Sequence, residues 1–272
     1  MTRLFYALRR RLREGGDRGF TLVELLVATG LSLVVGAIVV STLITAQTST
    51  NSTTASADLN AEARDLLNRL TGDLRQATPL WKATTVGGST VEVETPAITA
   101  VQNPYPGGSS NAVTSITFNA DYSGDGCVDS VPSDNCPGGS INNVDNPEIE
   151  TFCWDPTDVT ATGKTLVYLI AGGVQGNSCL PAPGITAQPL LSGNVSGLQI
   201  EYDSNRYLYD TNHDGVTTWQ ELDAQGPPIG NANNALDPLE LNQVDSIKLV
   251  ITLSEGGHTQ TYQAVVSLRN VQ

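Results

Sequence analysis

Gly19-Phe20-Thr21-Leu22-Val23-Glu24 opens an apolar run that continues to Ala46, and Glu24 is the only charged residue from Phe20 to Ala46. At 1.5 Å per residue, Phe20–Ala46 would form a helix of roughly 40 Å, enough to cross a ~30 Å hydrocarbon layer. The apolar core of a cleaved secretory signal is shorter, ~7–15 residues. Arg3, Arg9, Arg10, Arg11, Arg13 and Arg18 precede the run, against only Glu14 and Asp17. That basic flank predicts a cytoplasmic leader and an outward-facing remainder. Glu24 is the anomaly, because a carboxylate at the centre of a span costs about 2.5–3.5 kcal/mol on insertion scales and calls for a partner.

A basic leader, a glycine, an aromatic and a glutamate five residues into the apolar run resemble the N-terminus of a type IV prepilin. The resemblance implies that a prepilin peptidase cuts between Gly19 and Phe20 and that Phe20 is then N-methylated. It also implies that Glu24 of one subunit faces the new α-amino group of Phe20 in a neighbouring subunit. In a low-dielectric bundle this pairing fixes axial register, because a misplaced charge is left unpaired. The implied partners are other major and minor pilins or pseudopilins, the peptidase, and the bacterial inner membrane before assembly. The implied destination is a cell-surface pilus or a periplasmic pseudopilus, with the head facing the periplasm before assembly. A plain signal anchor is one rival reading. Another is cleavage after Ala55-Ser56-Ala57, but that small-x-small site lies too far beyond the apolar run.

Cleavage after residue 19 leaves 253 of the 272 residues, enough for one helix and a globular domain of roughly 200. The whole chain carries 14 basic and 28 acidic residues; without the leader's 6 and 2, the remainder has 8 and 26, a net charge of −18. Such a surface repels phosphate backbones and speaks against nucleic acid as a partner, while supplying carboxylates for divalent cations. Cys127, Cys136, Cys153 and Cys179 all lie in the outward-facing part. An even count in an oxidising compartment reads as two disulfides, and four cysteines permit three pairings. Cys127–Cys136 and Cys153–Cys179 are favoured, since both close short loops rich in Gly, Pro and Asn. No CxxC or neighbouring histidine pattern suggests zinc.

Residues 1–19 thus read as the leader, 20–46 as the membrane and filament-core helix, 47–78 as its amphipathic second half and 79–272 as a β-rich head. Gln47–Ala57 is Ser/Thr-rich and a poor helix former, so local softening is expected there. Leu59, Ala63, Leu66, Leu67, Leu70, Leu74 and Ala77 then form a 3.6-residue stripe that should pack on a sheet. Pro79 ends the helix by Thr78. Val91–Glu94, Ile116–Phe118 and Leu198–Tyr202 alternate as strands do, and the unbroken Leu166–Ile170 suggests a strand covered on both faces. Ile247, Leu249, Ile251 and Leu253, then Glu255-Gly256-Gly257-His258, then Tyr262, Ala264, Val266 and Leu268 read as a hairpin. Asn103–Ala112, Ser123–Pro147 and Gly172–Gly193 are long Gly/Pro/Asn-rich loops, a length unusual unless the loops are functional or stapled.

Leu66–Ala77, with its L-x-x-D-L-R-Q-A ending, resembles the helix end of PilW-type minor pilins and of the J subunit of type II secretion pseudopili. The expected fold is α+β: a long N-terminal helix packed on an antiparallel sheet head with disulfide- and calcium-stabilised loops. The resemblance implies a minor subunit that primes or tips the filament. A tip-exposed, calcium-dependent adhesin on the same filament is the alternative.

Asp210–Glu221 (DTNHDGVTTWQE) fits the calcium-loop template D-x-[DN]-x-[DN]-G-x5-E at every specified position. Asp210, Asn212 and Asp214 would converge their oxygens, Gly215 would permit the turn, the Val216 carbonyl would add a ligand and Glu221 would close the sphere; Thr218 would contribute directly or through water. Leu198–Tyr209 reads as strand and loop, so no paired helix–loop–helix is expected. A degenerate second calcium candidate spans Asp121–Asp129, where a plain turn is the stronger reading. No enzyme is expected. The two histidines, His213 and His258, sit in the loop and the hairpin turn, and no nucleophile elbow, P-loop or dinucleotide fingerprint is present. Trp81, Trp154 and Trp219 are expected as core or loop anchors.

Overall fold

The computed structural model describes residues 20–86, 89–109, 112–122, 148–159, 165–174, 178–181, 183, 185–190, 194–255 and 257–268, with the side chains of 82–92 excepted. The order is α1 (Leu22–Leu74), β1 (Leu80–Val86), β2 (Ser89–Thr95), β3 (Ile98–Gln102), β4 (Thr114–Asn119), β5 (Ile149–Trp154), β6 (Val167–Ala171), β7 (Ala187–Pro189), β8 (Asn194–Ser204), β9 (Thr217–Thr218), α2 (Trp219–Asp223), α3 (Pro238–Leu241), β10 (Ser246–Glu255) and β11 (His258–Ser267). The chain divides between Thr54 and Ala55 into two compact units, and α1 contributes to both.

The first unit holds the apolar part of α1. Every residue from Phe20 to Asn51 is exposed. This segment is long and apolar enough to cross a membrane by length and composition. Its hydroxyls do not oppose that setting, because they bond back into the helix. Thr29, Ser32, Ser41, Thr42 and Thr45 donate to the carbonyls of Leu26, Ala28, Ile38, Val39 and Ser41 at 2.8–3.0 Å. The same device carries the helix through the Ser/Thr-rich stretch. Thr48, Thr50, Thr53 and Thr54 each donate four residues back, to Ile44, Ala46, Ser49 and Thr50. Gln47–Ala57 is therefore regular helix, where propensity alone predicts softening.

In the second unit, α1 turns the predicted stripe inward. Leu59, Ala63, Leu66, Leu70 and Leu74 are buried and share one core with strands β4, β5, β8, β10 and β11. Among the described residues the strands form three antiparallel sheets, ordered β1-β2, β11-β10-β8-β9 and β3-β4-β5-β6-β7. The period-2 pattern places Ile247, Leu249, Ile251 and Leu253 of β10 and Leu198, Ile200 and Tyr202 of β8 in that core, and a register shift opposite Thr252–Leu253 brings in Val195 as well. The C-terminal hairpin is in the predicted register, with Glu255 opposite His258. Phe118 and Phe152 meet across β4 and β5 with centroids 5.3 Å apart. The Trp154 indole N–H donates to the Val195 carbonyl at 3.2 Å, tying the five-stranded sheet to the four-stranded one.

Three expectations need correction. The unbroken run Leu166–Ile170 is not covered on both faces throughout: Val167 and Ile170 of β6 are buried, but Tyr168 and Leu169 only half so. Its neighbour within the sheet is the three-residue edge strand β7, itself unread within the Gly172–Gly193 loop. Trp81 is no core anchor, being 48% exposed, whereas Trp154 and Trp219 are buried.

Cys153 and Cys179 are disulfide-bonded as expected, across a sequence separation of 26. They are buried with Ile170 in a small cluster flanked by Val113, Tyr168, Val174, Ile185 and Ala187. The bond pins the irregular segment after β6 onto β5. In the chain-entropy view, closing a loop of this size stabilises by about 3.5 kcal/mol. Replacing both cysteines with alanine is therefore expected to lower unfolding stability by that amount in denaturant titrations. Cys127 and Cys136 lie outside the described residues.

Candidate functional site

The N-terminal motif is built around a helix cap. Phe20 and Thr21 precede α1 in non-helical conformation, and Phe20 is 87% exposed. Thr21 caps the helix: its hydroxyl accepts from the Glu24 N–H at 3.2 Å and donates to Glu24 Oε2 at 3.0 Å. Glu24 Oε2 also accepts from the Thr21 N–H at 3.0 Å. This reciprocal arrangement is a capping box, Thr-x-x-Glu, and it gives Glu24 a local partner before any subunit arrives. Reading Glu24 for its charge alone misses Thr21, although the three-residue spacing was available as a signal. Gly19 lies outside the described residues.

The loop Asp210–Glu221 turns on two residues of positive φ. His213 and Gly215 take positive φ, 61° and 92°, which bend the chain around its own side chains. Asp210, only 6% exposed, accepts from the His213 N–H at 2.6 Å and from the Gly215 N–H at 2.9 Å. Asn212 Oδ1 accepts from the Asp214 N–H at 2.8 Å, and Asp214 Oδ1 from the Val216 N–H at 2.9 Å. Glu221, 9% exposed, closes the loop. Its Oε1 accepts from the N–H groups of Thr211 and Asn212 and from the Thr211 hydroxyl, and its Oε2 from the Thr218 N–H and hydroxyl. Burial pushes the Glu221 carboxyl up, but these donors outweigh it and hold the group below the usual glutamate range.

A short 3₁₀ turn, Tyr207–Tyr209, enters the loop, and α2 leaves it with Thr218 as N-cap. Where a paired calcium loop would add a partner strand, β9 pairs instead with Asp203 and Ser204 of β8. Thr217 is buried there, with its hydroxyl donating to the Arg206 carbonyl at 3.0 Å. The Thr218 hydroxyl is engaged with Glu221, and the Val216 side chain is 44% exposed. Among the described residues, no three His, Cys, Asp or Glu side chains are already gathered on one point as a metal shell. The donor set is nevertheless all oxygen, the chemistry a hard cation takes, although Glu221 would have to exchange some of the five hydrogen bonds on its two oxygens to ligate one. In the Asp121–Asp129 candidate, everything beyond Tyr122 falls outside the described residues.

A model of the prokaryotic N-terminal methylation motif matches residues 16–43. No curated protein and no solved structure matches the chain. The motif match supports a type IV prepilin-like protein, cut by prepilin peptidase, assembled with other pilins and acting as a structural subunit. The exposed apolar helix is consistent with anchoring in a membrane.

Proposed function

We propose that this chain is a minor pilin or pseudopilin that primes or tips a type IV pilus or a type II secretion pseudopilus. The observation that carries the reading is the pairing of the methylation motif with an apolar helix exposed from Phe20 to Asn51. So large an apolar face is stable only in lipid or against other helices. The helix end Leu66–Ala77, with Leu66, Leu70 and Leu74 buried in the head, is the element that resembles PilW-type and J-type subunits. Deletion of the gene is expected to abolish filaments or secretion, with restoration by the wild-type copy. Filaments of normal number with lost surface attachment would assign the head to adhesion instead.

The Asp210–Glu221 loop is proposed to take calcium in a structural role. Asp210, Asn212 and Asp214 would supply side-chain oxygens, Val216 its carbonyl and Glu221 both carboxylate oxygens, with Thr218 adding its hydroxyl directly or through water. With an affinity of about 10⁻⁴–10⁻³ M, roughly 10 mM calcium would stabilise the fold by about 1.4–2.7 kcal/mol. Thermal melts with calcium and with chelator are expected to differ for wild type and to lose that loop's increment in Glu221→Gln. An unchanged calcium shift in the variant would reject the assignment.

A further inference from the structure

Ile116 and Phe118 of β4 point into the core, so Ser115, Thr117 and Asn119 face the other side of the five-stranded sheet. On that side Ser115 pairs with Gln102 and Thr117 with Ala100 of β3, while Thr151 and Ile149 of β5 stand opposite Thr117 and Asn119. These strands floor a cleft of about 400 Å³, within the ~300–1,000 Å³ usual for small-ligand sites. Gly173 and Val174 also line it, in the segment after β6 that the Cys153–Cys179 bond pins down. Ser115, Thr117 and Asn119 are 2%, 7% and 0% exposed. Polar groups so deeply buried are costly without partners, and where their hydrogens go decides what the cleft can hold.

Most of those hydrogens are committed inside the protein. Thr95, at one end of the cleft, donates its hydroxyl to the Leu80 carbonyl at 2.8 Å, and Thr99 donates to the Thr117 carbonyl at 3.3 Å. The Thr117 and Thr151 hydroxyls lie 2.8 Å apart. Thr151 gives its single hydrogen to the Gly172 carbonyl, so Thr117 is the donor of that pair. The Asn119 amide donates to Thr95 Oγ1 at 2.9 Å and to the Pro96 carbonyl at 3.0 Å. Its Oδ1 is buried with no donor among the described residues. Thr95, Thr99, Thr117 and Asn119 therefore line the cleft with lone pairs and no hydrogen left to give.

None of the residues lining the cleft is charged, in a chain whose formal net charge is −14. An anion is repelled by such a chain and by a lining of acceptors, and a bare metal ion meets no carboxylate there and far more room than it fills. A neutral molecule with several O–H donors satisfies the oxygens. Ala100, Ile149 and Val174 add apolar surface suited to the C–H face of a sugar ring. We propose that this cleft binds a neutral sugar ring whose hydroxyls donate to Thr99, Thr117 and Asn119. Asn119 Oδ1 gains in the complex the donor it otherwise lacks. The assignment depends neither on the filament role nor on calcium at Asp210–Glu221.

The full chain, purified in a detergent without a sugar headgroup, is titrated by saturation-transfer NMR. The probes are the methyl glycosides of glucose, galactose and mannose, the anionic sugar N-acetylneuraminic acid, and trialanine blocked at both ends. At least one neutral glycoside is expected to bind with a Kd of about 1–10 mM, roughly tenfold tighter than the anionic sugar. Ala100 is an exposed strand position in the lining, so Ala100→Phe is expected to abolish that binding while melting as wild type does. Thr117→Val keeps the side-chain volume and is expected to weaken binding roughly 3–10-fold, which reads the same site should Ala100→Phe fail to fold. Absence of glycoside binding at about 50 mM would overturn the proposal. So would glycoside binding unchanged in both variants, or the anionic sugar held as tightly as the neutral ones. Blocked trialanine bound in place of the glycosides would also overturn it and assign the cleft to an extended peptide.

Discussion

Gly19→Val is expected to leave the chain uncut and outside any filament, whereas Glu24→Ala is expected to be cut normally and still fail to assemble. The first effect follows from the proposed cut between Gly19 and Phe20. The chain at Phe20 and Thr21 is non-helical, Phe20 is 87% exposed, and regular helix begins only at Leu22. On the proposed processing, the bond cut is the one before Phe20, ahead of the first helical turn. A β-branched side chain in place of the glycine stiffens the chain there and fills space beside the cut. The measurement is N-terminal sequencing of the membrane-bound protein: Met1 for Gly19→Val, Phe20 for wild type and Glu24→Ala.

The Glu24 arm separates two roles for one carboxylate. In the isolated chain, Glu24 completes the capping box with Thr21. In the proposed filament, where Glu24 would pair with a neighbour's α-amino group, its loss would leave that group buried without a counter-charge and block assembly. Thr21→Val removes only the hydroxyl of the cap and is expected to assemble nearly as wild type. If Thr21→Val lost assembly as completely as Glu24→Ala, the helix cap, and not the charge pairing, would explain Glu24.

What could be read in advance follows the range of the interactions involved. The α1 stripe and the β10–β11 hairpin were legible because each is fixed by its own periodicity, 3.6 for Leu59–Leu74 and 2 for Ile247–Leu253. The Cys153–Cys179 pair was legible from loop chemistry. The short elements β7, α2 and α3 were not, since three to five residues carry too little pattern to outweigh turn signals. The Asp210–Glu221 stretch could be singled out for the calcium proposal because its oxygens lie within twelve residues at template spacing. The fold-back that sets the Asn233 and Asn234 N–H groups on Asp223 matches no such spacing; it exists only because the chain turns at Gly230 against the end of α2. One pattern did recur unread. Thr21–Glu24, Thr218–Glu221 and Asp237–Glu240 are each a capping residue with a glutamate three positions on, and all three glutamates were open to being read only as charges.

Gly230→Ala tests that fold-back directly and is expected to destabilise the head by about 4 kcal/mol. A Cβ at residue 230 would stand 2.3 Å from the Leu222 carbonyl oxygen, 2.4 Å from that of Asp223 and 2.6 Å from that of Gln225. All three are backbone atoms at the end of α2, so no side chain can swing aside to relieve the clash. Two of them are already committed: the Asp223 carbonyl accepts from the Ala232 N–H at 2.8 Å, and that of Leu222 from the Gln225 N–H at 3.1 Å. The loop must therefore lift away from α2, breaking the Asn233 and Asn234 bonds to Asp223. Leu222 and Leu241 flank this fold-back in the core, which is why the loss spreads beyond the loop. Gly226→Ala is the control, because a Cβ there meets nothing within 4 Å. Chemical denaturation of both variants checks the pair. A Gly230→Ala protein as stable as Gly226→Ala would mean that the turn is not held against α2.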